Sequence, residues 1–239
     1  MAINVNTVYQ TVLMILNKEQ RGYMTPDEFN KVATQVQLEI FEKYFDDLNQ
    51  QLRVPQADTD YADRQENIDE KIAIFKTFGT PIAVTGTDYF SLPTVDSYNR
   101  QVSFYRLGNL VYDTNKIVQR LDRHDFYYVD RSKLTKPTAI NPVYLYENQK
   151  LFIKPTSITS KVVVDYVRKP VDIIWGITLG SLGQYEYNEQ SSVNFELHES
   201  EQTEVILKIL LYSGIIIRDN EIVQTAAALV QADETNKKS

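Results

Sequence analysis

The sequence predicts an α+β protein, in which N- and C-terminal helices pack together with a central antiparallel β-domain. Three observations predict it. Apolar residues recur at three- and four-residue spacing at both ends, whereas the middle switches to short β-rich runs punctuated by Gly, Pro, Asn and Asp. The 239 residues are 43% hydrophobic and 24% charged, the ordinary range for a chain that buries a core.

The first helix is carried by Val5, Val8, Tyr9, Val12, Leu13, Ile15 and Leu16, with Gly22 as its stop. Thr25-Pro26-Asp27-Glu28 is a capping box. Thr25 accepts from the Glu28 backbone, Glu28 reaches back, and Pro26 occupies the first helical position, where a missing N–H costs nothing. Behind it Phe29, Val32, Ala33, Val36, Ile40, Phe41, Tyr44, Phe45, Leu48 and Leu52 make the apolar stripe of a long helix ending before Val54-Pro55. A third helix is expected from about Tyr61 to Phe78, with Ile68, Ile72 and Phe75 inward and Gly79-Thr80-Pro81 as the break.

After Pro81 come the runs Tyr89–Leu92, Val102–Arg106, Leu110–Tyr112 and Ile117–Leu121, with turns expected at Gly108-Asn109 and Asp113-Thr114-Asn115. Arg123 to Leu134 reads as a short helix. A hairpin follows, with strands at Val143–Tyr146 and Leu151–Ile153 around Glu147-Asn148-Gln149, and then a strand over Lys161 to Arg168. This amounts to five to seven antiparallel strands. The domains implied are 1–80 helical, 81–175 β, 176–194 an extended arm, and 195–239 the C-terminal helices that complete the helical domain. The arm is polar and glycine-rich with weak periodicity; loops this long in a compact protein are uncommon unless they bind something or are mobile, which makes it a candidate contact arm. Val205, Ile206, Ile209 and Leu210 begin one tail helix before Gly214, and Ile222 to Val230 form a second.

Much chemistry is excluded by composition. Zero Cys removes disulfides, thiolate metal sites and cysteine nucleophiles. None of the eight Gly stands in a phosphate-binding or dinucleotide pattern, and no G-x-S-x-G occurs. The two His, His124 and His198, are far apart and read as a loop residue and a helix-entry residue. An EF-hand reading from Asp58 fails, because Asp63 stands where the turn needs Gly and Asp69 where the bidentate Glu belongs. Asp46-Asp47 reads as solvated helix surface. No leader is expected in MAINVNTVYQ, and the longest apolar run, Val205 to Ile217, contains Lys208 and is too short to span a membrane. Catalytic residues, cofactor and metal are all expected to be absent.

Charge and amides say more. The net charge is −7, divided as 8 Lys+Arg against 13 Asp+Glu in residues 1–80, 13 against 8 in 81–170, and 4 against 11 in 171–239. Acidic ends around a basic middle suit a subunit with complementary faces. Sixteen Tyr, with 16 Gln and 15 Asn, suggest an adhesive surface, since Tyr joins a large apolar ring to a polar tip. Trp175, Gly180, Gly183, Tyr185, Tyr187 and Asn188 are the candidate interface residues. Two rival readings remain. One is a basic sheet stacking bases on Tyr98, Tyr105, Tyr112, Tyr127, Tyr128, Tyr144 and Tyr146; the other is a hydrolase using Asp125 and Asp130.

Over about residues 100–230 a further pattern runs in order: Lys136-Pro137-Thr138, Pro142-Val143-Tyr144, Leu151-Phe152-Ile153-Lys154-Pro155, Val164 to Pro170, Trp175, Phe195-Glu196-Leu197 and Gly214. In this the chain resembles the neck, or head-to-tail connector, proteins of tailed bacteriophages, most of all those of crAss-like podoviruses. The resemblance implies a virion protein made in the host cytoplasm. It implies a ring of about twelve copies beneath the portal protein, contacting other neck and tail rings, with DNA passing through without sequence recognition and no membrane involved.

Overall fold

The computed structural model describes residues 2–18, 24–53, 60–84, 86–94, 103–181, 183–217 and 224–232. In chain order the elements are α1 (Val5–Lys18), α2 (Pro26–Arg53), α3 (Asp60–Ala73), β1 (Lys76–Gly79), β2 (Ile82–Ala83), β3 (Tyr89–Ser91), β4 (Phe104–Tyr112) and β5 (Lys116–Arg120). They continue as α4 (Arg123–Arg131), β6 (Val143–Glu147), β7 (Lys150–Lys154), β8 (Val162–Arg168), β9 (Ile177–Leu179), β10 (Tyr185–Tyr187) and α5 (Gln202–Ile217). A last helical stretch covers 224–232. The fold is α+β. It divides into a helical unit, Met1–Ile74 with Pro170–Ser239, and a sheet unit, Phe75–Lys169. The sheet unit thus starts and ends before the 81–175 span expected from sequence.

In the helical unit α5 packs on α1 and α2. The capping box forms as the sequence requires: Thr25 N–H donates to the Glu28 carboxylate at 2.9 Å, and Glu28 N–H donates back to Thr25 Oγ1 at 3.4 Å. The Thr25 bonds hold the Glu28 carboxyl below its ordinary pKa. Asn4 caps α1, its Oδ1 accepting from the N–H groups of Asn6 and Thr7. Val5, Val8, Val12, Leu16, Phe29, Val36, Ile40 and Phe41 are buried, the inward stripes of α1 and α2. Glu201 and Glu204 are buried too, each with a cation: Lys71 reaches Glu201 at 2.5 Å and Lys43 reaches Glu204 at 3.1 Å. Lys208, the charge inside the longest apolar run, lies 3.6 Å from Glu204. Gly214 sits inside α5 and does not end it.

The sheet unit is one eight-stranded sheet in the order β1-β8-β4-β5-β6-β7-β3-β2, more strands than the five to seven expected. Every pair is antiparallel except β5–β6, which is parallel. The two outermost strands, β1 and β2, are joined by only Thr80 and Pro81, three Cα steps from Gly79 to Ile82. That linkage keeps the edges within about 11 Å of one another, so the sheet is curled back toward itself. Its interior holds Phe90, Leu110, Val118, Tyr144, Leu151, Ile153, Val162, Val164 and Tyr166. Strand alternation puts Val143 and Leu145 on the other face of β6, where Phe126 of α4 packs on them.

Two local expectations are corrected. Residues after Ala73 leave the helix; Lys76–Gly79 pair with Val164–Val167 as β1. Gly108-Asn109 is no turn but an irregularity within the continuous strand β4, whose register against β8 shifts between Leu107 and Leu110. A Cβ on Gly108 would lie 2.9 Å from the Asp165 carbonyl oxygen, so the close approach of the two strands there requires glycine. The turns at Asp113-Thr114 and Asn148-Gln149 do form, with positive φ at all four residues.

Candidate functional site

The segment 176–194 is built, not loose. Ile177–Leu179 pairs antiparallel with Tyr185–Tyr187, Gly180 N–H donates to the Gln184 carbonyl at 2.9 Å, and Gly183 turns the chain with φ of +79°. A one-turn 3₁₀ helix at Glu189–Ser191 follows, with Asn188 Oδ1 accepting from Gln190 N–H. Asn188 N–H also donates to the Gly176 carbonyl, and Ser192 Oγ donates to the Asn188 carbonyl at 2.6 Å, closing the base of the hairpin.

That base is held by a device the sequence did not announce. Asn30, Thr34 and Gln37 are spaced four and three along α2, so they lie on one helix face. Along this face runs the extended backbone of residues 171–175. Trp175 N–H donates to Asn30 Oδ1 at 2.7 Å and Ile173 N–H to Thr34 Oγ1 at 3.0 Å, while Gln37 Nε2 donates to the Val171 carbonyl at 2.8 Å. Gln37 Oε1 also accepts from Glu196 N–H at 2.8 Å, on the returning side of the arm. The helix side chains serve the alternate residues of a strand that has no sheet to join. Apolar periodicity is blind to such polar positions; the signal was an Asn, Thr, Gln series at helical spacing.

Trp175, expected at an interface, is 6% exposed and belongs to this base. Its ring lies 4.4 Å from Tyr9 and 5.8 Å from Tyr187, and its Nε1–H donates to Asn6 Oδ1 at 3.1 Å. It is buried because it anchors the hairpin to the helices. Of the other named residues, Gly183 and Tyr185 are exposed, and Gly180, Tyr187 and Asn188 are half-buried. In the hairpin register Ile177, Leu179, Tyr185 and Tyr187 share one face, Thr178 and Glu186 the other. Leu179 is 70% exposed, and Ile177 and Tyr185 are exposed as well, so the apolar face is covered only at the Tyr187 end.

A second exposed apolar region lies on the sheet unit around α4. A groove of about 480 Å³ there has mixed walls, with Ile117, Leu121, Val129 and Leu134 alongside Gln119, Thr135, Lys136, Thr138 and Asn141. Leu134 is 94% exposed, Ile140 72% and Ile117 71%. Tyr127 and Tyr128 are exposed on α4, with His124 stacked on Tyr128 at 5.6 Å. Sequence reasoning placed the helix but missed this surface, because Leu134 and Ile140 stand singly among polar residues.

The tyrosines named for base stacking are not gathered on one exposed sheet face. Tyr144 is in the core, Tyr112 and Tyr146 are half-buried against it, and Tyr98 lies outside the described residues. Asp125 and Asp130 both stand on α4, five residues and so about 140° apart around the helix. Asp125 is 3.3 Å from His124 Nδ1 and Asp130 is 3.6 Å from Lys154. Among the described residues no three His, Asp or Glu are grouped to hold a metal ion, and no helix is long and apolar enough to cross a membrane. Asp58 lies outside the described residues, while Asp60, Asp63 and Asp69 of the same acidic stretch stand on α3 and form no loop. No family model matches this chain, and no curated protein matches its sequence.

Proposed function

We propose that this chain is a virion structural subunit: one copy in a ring of about twelve that sits in the head-to-tail connector of a tailed bacteriophage, beneath the portal protein and against other neck and tail rings. One observation carries the reading. The boundary between the compact units is also a boundary in charge. The sheet unit holds 14 Lys+Arg and 8 Asp+Glu, a net of +6, and the helical unit holds 11 and 24, a net of −13, which together give the −7 of the whole chain. A chain so divided repels its own kind when like units meet and attracts it head to tail, which is the heterologous contact a ring needs. The exposed apolar face of the hairpin and the exposed aliphatics Ile117, Leu134 and Ile140 supply the burial that charge alone does not. An acidic helical unit facing the channel offers DNA phosphates few cations to hold them, so the duplex slides.

The test is assembly and location. Native mass spectrometry and negative-stain imaging of the purified chain are expected to show closed rings at low ionic strength that loosen at ~1 M salt, where the Debye length falls to about 3 Å. Mass spectrometry of purified particles is expected to find the chain among the virion proteins. A protein that stays monomeric at high concentration and is absent from particles overturns the proposal.

A further inference from the structure

We infer that the β9–β10 hairpin of one copy inserts into the α4 groove of the next copy, and so forms the ring's lateral contact; this rests on the ring reading above. The hairpin is a finished binding element. Its apolar face is exposed at Leu179, Ile177 and Tyr185, neither outer edge of its two-stranded sheet is paired among the described residues, and its root is fixed by Trp175 and by Asn30, Thr34 and Gln37. A rooted hairpin loses little freedom on docking.

Three features of the groove select this occupant. Its size, about 480 Å³, is that of a site for a few large side chains. Its walls offer exposed aliphatics, Ile117 and Leu134, which gain from being covered by the apolar side chains of a protein surface. Its charge complements the hairpin. Residues 116–143 carry six Lys+Arg and three Asp, with Lys136 in the groove wall and with Lys116 and Arg123 paired to Asp113 and Glu147, while 176–194 carry Glu186 and Glu189 and no cation. The apolar face meets Ile117 and Leu134, and the acidic hairpin as a whole approaches a basic surface.

The absence of native cysteine makes the test direct. Chains carrying Leu179→Cys are mixed with chains carrying Leu134→Cys, both at exposed positions, and treated with a short thiol-to-thiol crosslinker under conditions that give rings by native mass. The expected product is the 179-to-134 dimer, in about tenfold excess over like-with-like dimers. Leu134→Asp is expected to weaken assembly about tenfold, as a tenfold change in affinity needs only ~1.4 kcal/mol. Rings that form without the 179-to-134 product, or with like-with-like products dominant, overturn this contact and leave the ring standing; the hairpin then serves another virion protein. Crosslinking within a single chain that carries both substitutions, at high dilution, overturns it in favour of an intramolecular seat. Chains that never assemble overturn the ring and this contact together.

Discussion

Replacing Gln37 by Leu tests the polar face of α2 more sharply than any change to the hairpin itself. The side chain is 1% exposed and makes two hydrogen bonds, donating to the Val171 carbonyl and accepting from Glu196 N–H, each at 2.8 Å. Leucine has nearly the same volume, so no cavity opens and the loss is that of the bonds. Each bond contributes about 0.5–1.5 kcal/mol net, which gives a cost of about 1–3 kcal/mol. With a urea slope of roughly 2 kcal/mol/M, the unfolding midpoint should fall by about 0.5–1.5 M. The assay is built in: the chain has one Trp, and Trp175 sits at the far end of the same polar row, so its fluorescence follows the helical unit alone. Thr34→Val removes one bond, to Ile173 N–H, and should cost about half as much. If Gln37→Leu unfolds at the wild-type midpoint, or Thr34→Val proves the costlier change, the helix face does not hold the arm and the rooted-hairpin argument fails with it.

Three further outcomes follow from the same geometry. Thr25→Ala opens the capping box and should cost about 1 kcal/mol at neutral pH. Because the Glu28 pKa is lowered in the fold, the share of this from the Thr25 hydroxyl donating to the Glu28 carboxylate is present above the ordinary carboxylate range and lost as pH falls through the lowered value, so the gap between wild type and variant should narrow in acid melts to that of the N–H cap alone. The Tyr212 hydroxyl donates to Glu39, and this bond, then burial, pushes its pKa up to about 12. A raised pKa gives stability that is complete below the ordinary tyrosine value of about 10 and lost toward 12, so the thermal advantage of wild type over Tyr212→Phe should vanish across that window. Gly108→Val forces a side chain against the Asp165 carbonyl and should destabilise the sheet unit by about 1–3 kcal/mol, read as faster hydrogen exchange in β4 and β8 with the Trp175 signal unchanged.

What could be read from the sequence was what is decided within a few residues. The α2 capping box is a four-residue contact, and the Asn148-Gln149 hairpin is set by its own two-residue turn, so both were legible. The failures are long-range. Ile72 and Phe75 suit a helix face, and nothing nearby reveals that Lys76–Gly79 will find β8 some ninety residues on. Gly108-Asn109 has turn chemistry, and only the presence of β8 across the strand makes it a bulge. For the candidate site, the polar, glycine-rich composition of 176–194 marked an arm, but its weak periodicity concealed the hairpin, whose strands are only three residues long. The burial of Trp175 against Tyr9 and Asn6 was not legible, because one aromatic beside a polar arm looks the same whether it packs on its own helices or faces outward.

The hairpin and the polar row explain each other. An apolar hairpin face left in water is a liability unless something gains from it, and a floppy arm would collapse its Leu and Tyr onto whatever surface lay nearest. Here that collapse is opposed at the root. Alternate backbone groups from Val171 to Trp175 are tied to α2, Glu196 is tied to the same Gln37, and Trp175 is wedged between Tyr9 and Tyr187. A chain whose hairpin did no work would have little use for five separate attachments beneath it. With them, the ordering cost of the arm is met on folding, so in the proposed contact burial of Leu179 alone, about 1.5–3 kcal/mol, would go into docking nearly undiminished. Repeated around a ring, contacts each too weak to hold a dimer for long would close a stable circle, because every subunit is held on two sides at once.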